Sequence, residues 1–445
     1  MSNKQTIFCG NNPKYLAKEF IKESNASNSA SAFRIPSLVN AGGTLVAAID
    51  KAATGADWGF IEIAVRTSND AGKTWSDIKT IASPPARVIS DSIDNTASAF
   101  YIDPCMGVAP NGDIVMLVTY FPESKGIHNK KLLETKTAYT KFDGTVCPLI
   151  YDRDGNHYIV LNDGSVLDSS KSKTPYTCNF AKGILAKDGE YVGNIYLNGA
   201  IGRSDSDGIT TTFGAPLKTP KRSYVFMLRS TDKGETWSDP VDITGQVLNP
   251  AVDGPFFAVA PGTAATTQNG RMILPLYTVK GTVCIYSDDN GHTFHRNSTV
   301  PYAAGKGEWV PVEAPKGELV AFSRERGYKK VTTSISTNNG IVWTKTKSAP
   351  FRAPHCQKNA IAIGDKVYVS APSAKQREKG TINVGTFDYD KKGNLKGIKW
   401  DKDARIPVND GFFAYSCMAP VDDRTIGILY EDQPSSHIVF ETFGI

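Results

Sequence analysis

The chain has 445 residues, with 50 Lys and Arg against 45 Asp and Glu, for a net charge of +5. That charge lies in short clusters such as Lys130-Lys131, Lys221-Arg222 and Lys329-Lys330 with acids between them, and no basic block alternates with aromatics as nucleic-acid binding would favour. No apolar run is long enough to span a bilayer, and Met1 to Phe20 hold no charged-then-apolar signal pattern. A soluble chain is expected, either intracellular or secreted with its signal removed.

Seven cysteines, Cys9, Cys105, Cys147, Cys178, Cys284, Cys356 and Cys417, are scattered, odd in number and without a C-x-x-C pair, which argues against a disulfide framework and a zinc site. Plentiful glycine (39) and proline (25), with short Val/Ile/Thr/Tyr/Phe runs between turn clusters, predict an all-β chain. In chain order, residues 1–31 are expected to form an N-terminal arm with one short helix around Pro13 to Lys22. Residues 32–445 are expected to form one large β domain.

An eight-residue pattern, Ser/Thr-x-Asp-x-Gly-x-Thr-Trp, first occurs at Ser68 to Trp75. It returns at Ser230 to Trp237, at Ser287 to Phe294 with Phe in the aromatic place, and in degenerate form at Ser336 to Trp343. Each copy predicts a hairpin turn in which Ser and Asp side chains satisfy backbone amides, Gly takes a positive φ and the aromatic packs beneath. The apolar runs before the copies, Ile61 to Arg66, Val225 to Leu228, Val283 to Tyr286 and Val331 to Ile335, are the strands entering these turns. The last three copies lie about 50 to 57 residues apart, the scale of four-stranded propeller blades. The first two are much farther apart, so another blade and a mostly-β insertion of approximately 125–221 are expected between them. Asp152 to Asn156 in that insertion carries a weak calcium signal, and a plain turn is the simpler reading.

Phe33-Arg34-Ile35-Pro36 ahead of these repeats resembles the bacterial sialidases with their Asp boxes. Ala56-Asp57-Trp58-Gly59, Ile102-Asp103-Pro104 and Gly427 to Glu431 extend the resemblance over nearly the whole chain, and Ala260 to Thr263 matches loosely. The resemblance implies a six-bladed β-propeller and an exo-α-sialidase that removes terminal sialic acid from glycoproteins, glycolipids or oligosaccharides. A monomer without metal or organic cofactor is expected.

Sialic acid bears a carboxylate on its anomeric carbon, and a planar guanidinium pairs with that group bidentately without losing its charge. The resemblance assigns this clamp to Arg34, Arg324 and Arg377, although each alone reads as a surface or ion-pair residue. It makes Asp57 the acid/base, on a loop where a partly apolar lid would raise its pKa. Tyr415 becomes the nucleophile with Glu308 as its base. A neutral phenol approaches an anionic sugar without the repulsion a carboxylate would meet, and is activated when the base takes its proton. Sialidases are the known tyrosine exception among glycosidases.

Asp103 resembles the residue that accepts from the N-acetyl amide, and Trp58 and Trp309 flank the acid and the base, lining the pocket or filling a blade. Lys51 stands six residues before Asp57, where relatives carry arginine, and is expected to supply charge without a planar fork. The rival readings are a trans-sialidase or intramolecular trans-sialidase, a non-catalytic sialoglycan-binding propeller, and a receptor-like propeller with no sugar site. A lectin needs the arginines but not the proton-transfer set Asp57, Glu308 and Tyr415.

Overall fold

The computed structural model describes residues 4–10, 32–89, 92–128, 133–199, 204–205, 208–297, 307–345, 347–434 and 437–445. Six sheets, antiparallel except where the short strand Gly262–Thr263 pairs in parallel with Phe100–Val108, follow one another as the blades of a β-propeller. The first blade runs Ala32–Ala41, Thr44–Ala52, Ile61–Ser68 and Lys79–Ala82. The second takes Phe100–Val108 and Ile114–Phe121, and gains Tyr224–Ser230 and Val241–Asp242 only after a long excursion. The third is built on Phe257–Val259, Met272–Thr278, Thr282–Ser287 and His295–Arg296. The fourth consists of Trp309–Glu313, Leu319–Ser323, Lys329–Ser336 and Lys347–Ala353, and the fifth of Asn359–Ile363, Lys366–Pro372, Glu378–Tyr389 and Leu395–Phe412. The sixth blade joins Ala414–Asp422, Thr425–Glu431 and His437–Gly444 to Gln5–Cys9 from the other end of the chain.

That closure changes the reading of the arm. Gln5–Cys9 pairs antiparallel with His437–Gly444, with Gln5 opposite Phe440 and Cys9 opposite His437, which covers the edge the sixth sheet would otherwise expose. The helix expected around Pro13 to Lys22 lies outside the described residues.

The four repeats share one geometry. In the first, Ser68 Oγ donates to Asp70 Oδ1 (2.8 Å) and accepts from Gly72 N (2.9 Å), Thr74 N donates to Asp70 Oδ1 (2.9 Å), and Trp75 Nε1 caps Gly72 O (3.2 Å). Two consecutive residues are left-handed in every copy: Ala71-Gly72, Lys233-Gly234, Asn290-Gly291 and Asn339-Gly340. Each of these glycines also faces the preceding blade. A Cβ would meet the Phe440 ring at Gly72, Val46 at Gly234, Val115 at Gly291 and Ile273 at Gly340. The turn therefore shapes a hairpin and lets neighbouring blades close on each other.

The inserted segment forms a seven-stranded antiparallel meander from Tyr139–Phe142 to Glu190–Asn194. Its inner face, including Ile150, Val160, Val166 and Leu185, joins one buried cluster with Tyr120, Tyr224 and Phe226 of the second blade. At Asp152 to Asn156, Asp152 Oδ1 accepts from the amides of Asp154 and Asn156 (3.0 and 2.8 Å), a plain turn. A smaller sheet pairs Gly208–Thr212 with Ala86–Ile89.

Hydrogen bonds tie the inner strands of neighbouring blades together. Met106 N donates to Ser37 Oγ (3.1 Å), Met418 N to Asn359 Oδ1 (2.9 Å) and Ser416 N to Gln357 Oε1 (3.1 Å). These buried polar side chains are satisfied by backbone from other blades, so they tie the blades' positions to one another.

Candidate active site

In an antiparallel blade the start of the first strand and the end of the second lie at the same end. Arg34, Asp103 and Tyr415 lie on innermost strands, Glu308 immediately precedes one, Glu431 closes a second strand and Arg324 immediately follows another. Asp57 and Arg377 lie between the second and third strands of their blades, so the loops they occupy open at this same end. One pocket is thereby assembled from blades far apart in sequence.

At its floor, Tyr415 is 7 % exposed. Its hydroxyl donates to Glu308 Oε1 (2.9 Å) and accepts from Arg324 Nη1 (2.8 Å), and the same Arg324 nitrogen lies 2.5 Å from Glu308 Oε1. Arg324 N also donates to Glu308 O (2.8 Å), so the strand pair they bracket holds carboxylate and guanidinium in register. The Arg34, Arg324 and Arg377 guanidinium carbons lie 5.8, 5.8 and 5.5 Å from the centre of the Tyr415 ring. Three cations from the first, fourth and fifth blades thus surround a phenol from the sixth. Burial pushes the Tyr415 pKa well up and Glu308 adds to this against the opposing pull of Arg324, so the resting phenol is neutral.

Arg34 is held on two sides. Its Nη1 donates to Asp57 Oδ1, and its Nε lies 3.6 Å from Glu431 Oε1, which also accepts from Ile35 N (3.1 Å). Ile35 is left-handed at φ 58°, a costly conformation for a β-branched residue. Burial acts to lower the Arg34 pKa, but the carboxylates of Glu431 and Asp57 outweigh it and the group stays charged.

The expectation for Asp57 is reversed. Burial acts to raise its pKa, but the charge and hydrogen bond of Arg34, with those of His128, hold it below the usual carboxylate range. In the free chain the Asp57 carboxyl is therefore ionised. Its side chain is 38 % exposed beside Trp58, whose ring lies beneath Lys125 Nζ at 4.9 Å. Asp103 is buried with φ 65°, and burial followed by the charges of Glu308 and Asp57 drives its pKa well up.

One sequence assignment falls elsewhere, and one open reading is decided. Lys51 does not enter the pocket: its Nζ pairs with Glu62 (2.9 Å) and Thr80 Oγ1 (3.0 Å). Side chains alternate along a strand, and Asp50, opposite Arg34 in register, takes the inward face instead. Asp50 is buried there, accepts a hydrogen bond from the Asp103 backbone, and has its pKa driven up by burial and then by the charge of Asp103. Lys51→Ala should accordingly leave the Arg34–Asp57 contact in place and cost stability no more than ~1 kcal/mol, the scale of a peripheral ion pair; thermal melting checks the cost. Trp309 is a blade residue, 2 % exposed, with its Nε1 donating to Leu276 O (2.9 Å).

The structure also adds residues that the sequence did not single out. Glu431 supports Arg34, and the His355 carbonyl accepts from Arg324 Nη2 and Arg377 Nη2, each at 3.4 Å. A charged residue ending the apolar run Thr425 to Glu431 was the available signal for Glu431; a backbone acceptor leaves none. Among the described residues, no group of three His, Cys, Asp or Glu side chains is arranged to hold a metal ion.

The family model for BNR repeat-like domains matches residues 198–402. An anhydrosialidase from Macrobdella decora is 26% identical over 91% of this chain and 58% of its own length. Sialidase B from Streptococcus pneumoniae is 22% identical over 94% of this chain and 64% of its own. The chain is thus similar to sialidases over most of its length. Among solved structures, the intramolecular trans-sialidase from Ruminococcus gnavus in complex with oseltamivir carboxylate superposes with a TM-score of 0.80 at 24% identity, covering 94% of this chain and 96% of that one. The NanB sialidase of Streptococcus pneumoniae gives a TM-score of 0.79 at 20% identity, covering 97% of this chain and 73% of that one. These two likenesses establish the shared propeller fold. The chain spans 41% to 64% of the length of the first curated sialidase relatives it matches.

Proposed function

We propose that the protein is a glycoside hydrolase of the exo-α-sialidase type, acting on terminal sialic acid with retention through a tyrosyl intermediate. The observation that carries this reading is the Tyr415 hydroxyl between Glu308 and Arg324, within a ring of three guanidinium groups. Arg34, Arg324 and Arg377 seat the substrate's carboxylate. Asp103 faces the N-acetyl side as an acceptor. Tyr415 attacks the anomeric carbon while its proton passes to Glu308, and Asp57 protonates the departing oxygen. Water activated by Asp57 then releases the sugar in its original configuration.

A second reading, intramolecular transfer, draws support from relatives covering most of the chain: the Macrobdella decora protein is named an anhydrosialidase, and the leech intramolecular trans-sialidase was solved with 2,7-anhydro-Neu5Ac. The same pocket serves both outcomes, which differ in whether water or a hydroxyl of the sugar itself completes the second step.

Release from α2,3-, α2,6- and α2,8-linked sialosides, with products followed by NMR, tests the proposal. The expected result is free or 2,7-anhydro sialic acid from at least one linkage, with turnover reduced roughly 10²- to 10⁴-fold in Asp57→Ala. Failure of the parent chain to release sialic acid from any of them would sink it.

A further inference from the structure

Asp57 touches two bases from opposite sides: Arg34 Nη1 on Oδ1, and His128 Nε2 at 3.4 Å from Oδ2. Only the first is claimed by the proposed function, and it is claimed twice. Glu431 lies on the Nε side of the guanidinium. A sugar carboxylate that pairs bidentately with the two Nη nitrogens would take over the Nη1 side, where Asp57 binds in the free chain. Once displaced, Asp57 keeps acidic neighbours in Glu431, Asp103 and Asp50, and His128 is the group left against it.

The turn bearing His128 is built to hold it there. His128 N donates to Lys125 O (3.0 Å) and Gly126 N to Ser124 Oγ (3.0 Å). Gly126 is left-handed at φ 52° and lies so close to the Phe100 ring that a Cβ would clash. Lys125 of the same turn covers Trp58, the residue after Asp57. The turn before the insertion and the acid loop of the first blade therefore form one unit at the mouth of the pocket.

We propose that His128 is a positioning residue for Asp57 and supplies the proton that Asp57 passes to the departing sugar once the substrate's carboxylate has taken Arg34. His128 as imidazolium gives its Nε2 proton to Asp57 Oδ2 and is left as neutral imidazole; Asp57 passes that proton to the glycosidic oxygen, which leaves with the electron pair of the broken C–O bond. The Tyr415 proton passes to Glu308 as its oxygen bonds to the anomeric carbon. In the second step the attacking water gives its proton to Asp57, which returns it to His128, while Glu308 reprotonates the released phenol.

This role rests on the glycoside hydrolase reading, and the test separates the two. Turnover of sialyllactose and of a nitrophenyl sialoside is measured for the parent, His128→Ala and His128→Gln. A nitrophenolate leaves without needing a proton, so loss of a proton supplier is felt mainly with sialyllactose. Both variants are expected to lose roughly tenfold or more on sialyllactose and less than about twofold on the nitrophenyl substrate, with added imidazole partly restoring His128→Ala. Equal losses on both substrates, or undiminished sialyllactose turnover, would overturn the role of His128 while leaving the hydrolase reading intact. A parent chain that cleaves neither substrate overturns both.

Discussion

Tyr415→Phe is expected to lower sialoside turnover by on the order of 10³-fold or more, the scale reached when a nucleophile is removed from a site whose binding groups survive. Phenylalanine keeps the ring that the three guanidinium groups surround and removes only the hydroxyl between Glu308 and Arg324. Arg324 still reaches Glu308 at 2.5 Å, so neither charge is left alone in the interior and the fold is expected to hold. Affinity for an anionic sialic acid analogue, read by calorimetry, is expected to stay within a few fold, because the carboxylate clamp is untouched. Turnover within tenfold of the parent would remove Tyr415 from the chemistry. Parallel loss of binding and turnover would make it a support for the arginines instead.

Gly72→Ala is expected to cost about 2–5 kcal/mol of stability and to lower the apparent unfolding temperature, although Gly72 touches no part of the pocket. Two penalties coincide. Gly72 is left-handed at φ 84°, which costs an L-residue roughly 1–2 kcal/mol. Its added methyl would also lie 2.1 Å from the nearest atom of the Phe440 ring, and overpacking of that kind costs about 1–3 kcal/mol. Phe440 belongs to the sixth blade and Gly72 to the first, so the clash falls where the ring closes. Gly112→Ala is the control: at φ 91° with nothing within 4 Å of its added methyl, it carries only the backbone penalty. Melts at one scan rate compare the two, because a chain of this size need not unfold reversibly. Equal shifts would mean that the Phe440 contact relaxes freely.

The repeats and the site differ in how far they could be read from residues alone. An eight-residue turn is closed by its own side chains, so Ser68, Asp70, Gly72 and Trp75 carry their geometry in local order, and the spacing of the copies carried the blade scale. The arginines, Asp57, Glu308 and Tyr415 were found through a resemblance, and the structure brings them to one pocket. Local order misled where direction or environment mattered. Counting back from Asp57 picked out Lys51, but the phase of its strand turns Asp50 inward. An apolar lid suggested a raised Asp57 pKa, but the charge beside it is Arg34, on the innermost strand of the same blade.

Turn chemistry and strand alternation depend on neighbours a few residues away, so the amino-acid order was enough to specify the hairpins, the all-β class and the repeating unit. Ring closure by Gln5–Cys9, the ionised state of Asp57 and the approach of His128 to it depend on groups brought together from distant positions. Burial and Coulomb interactions depend on distance in space, and that distance exists only once the blades have closed.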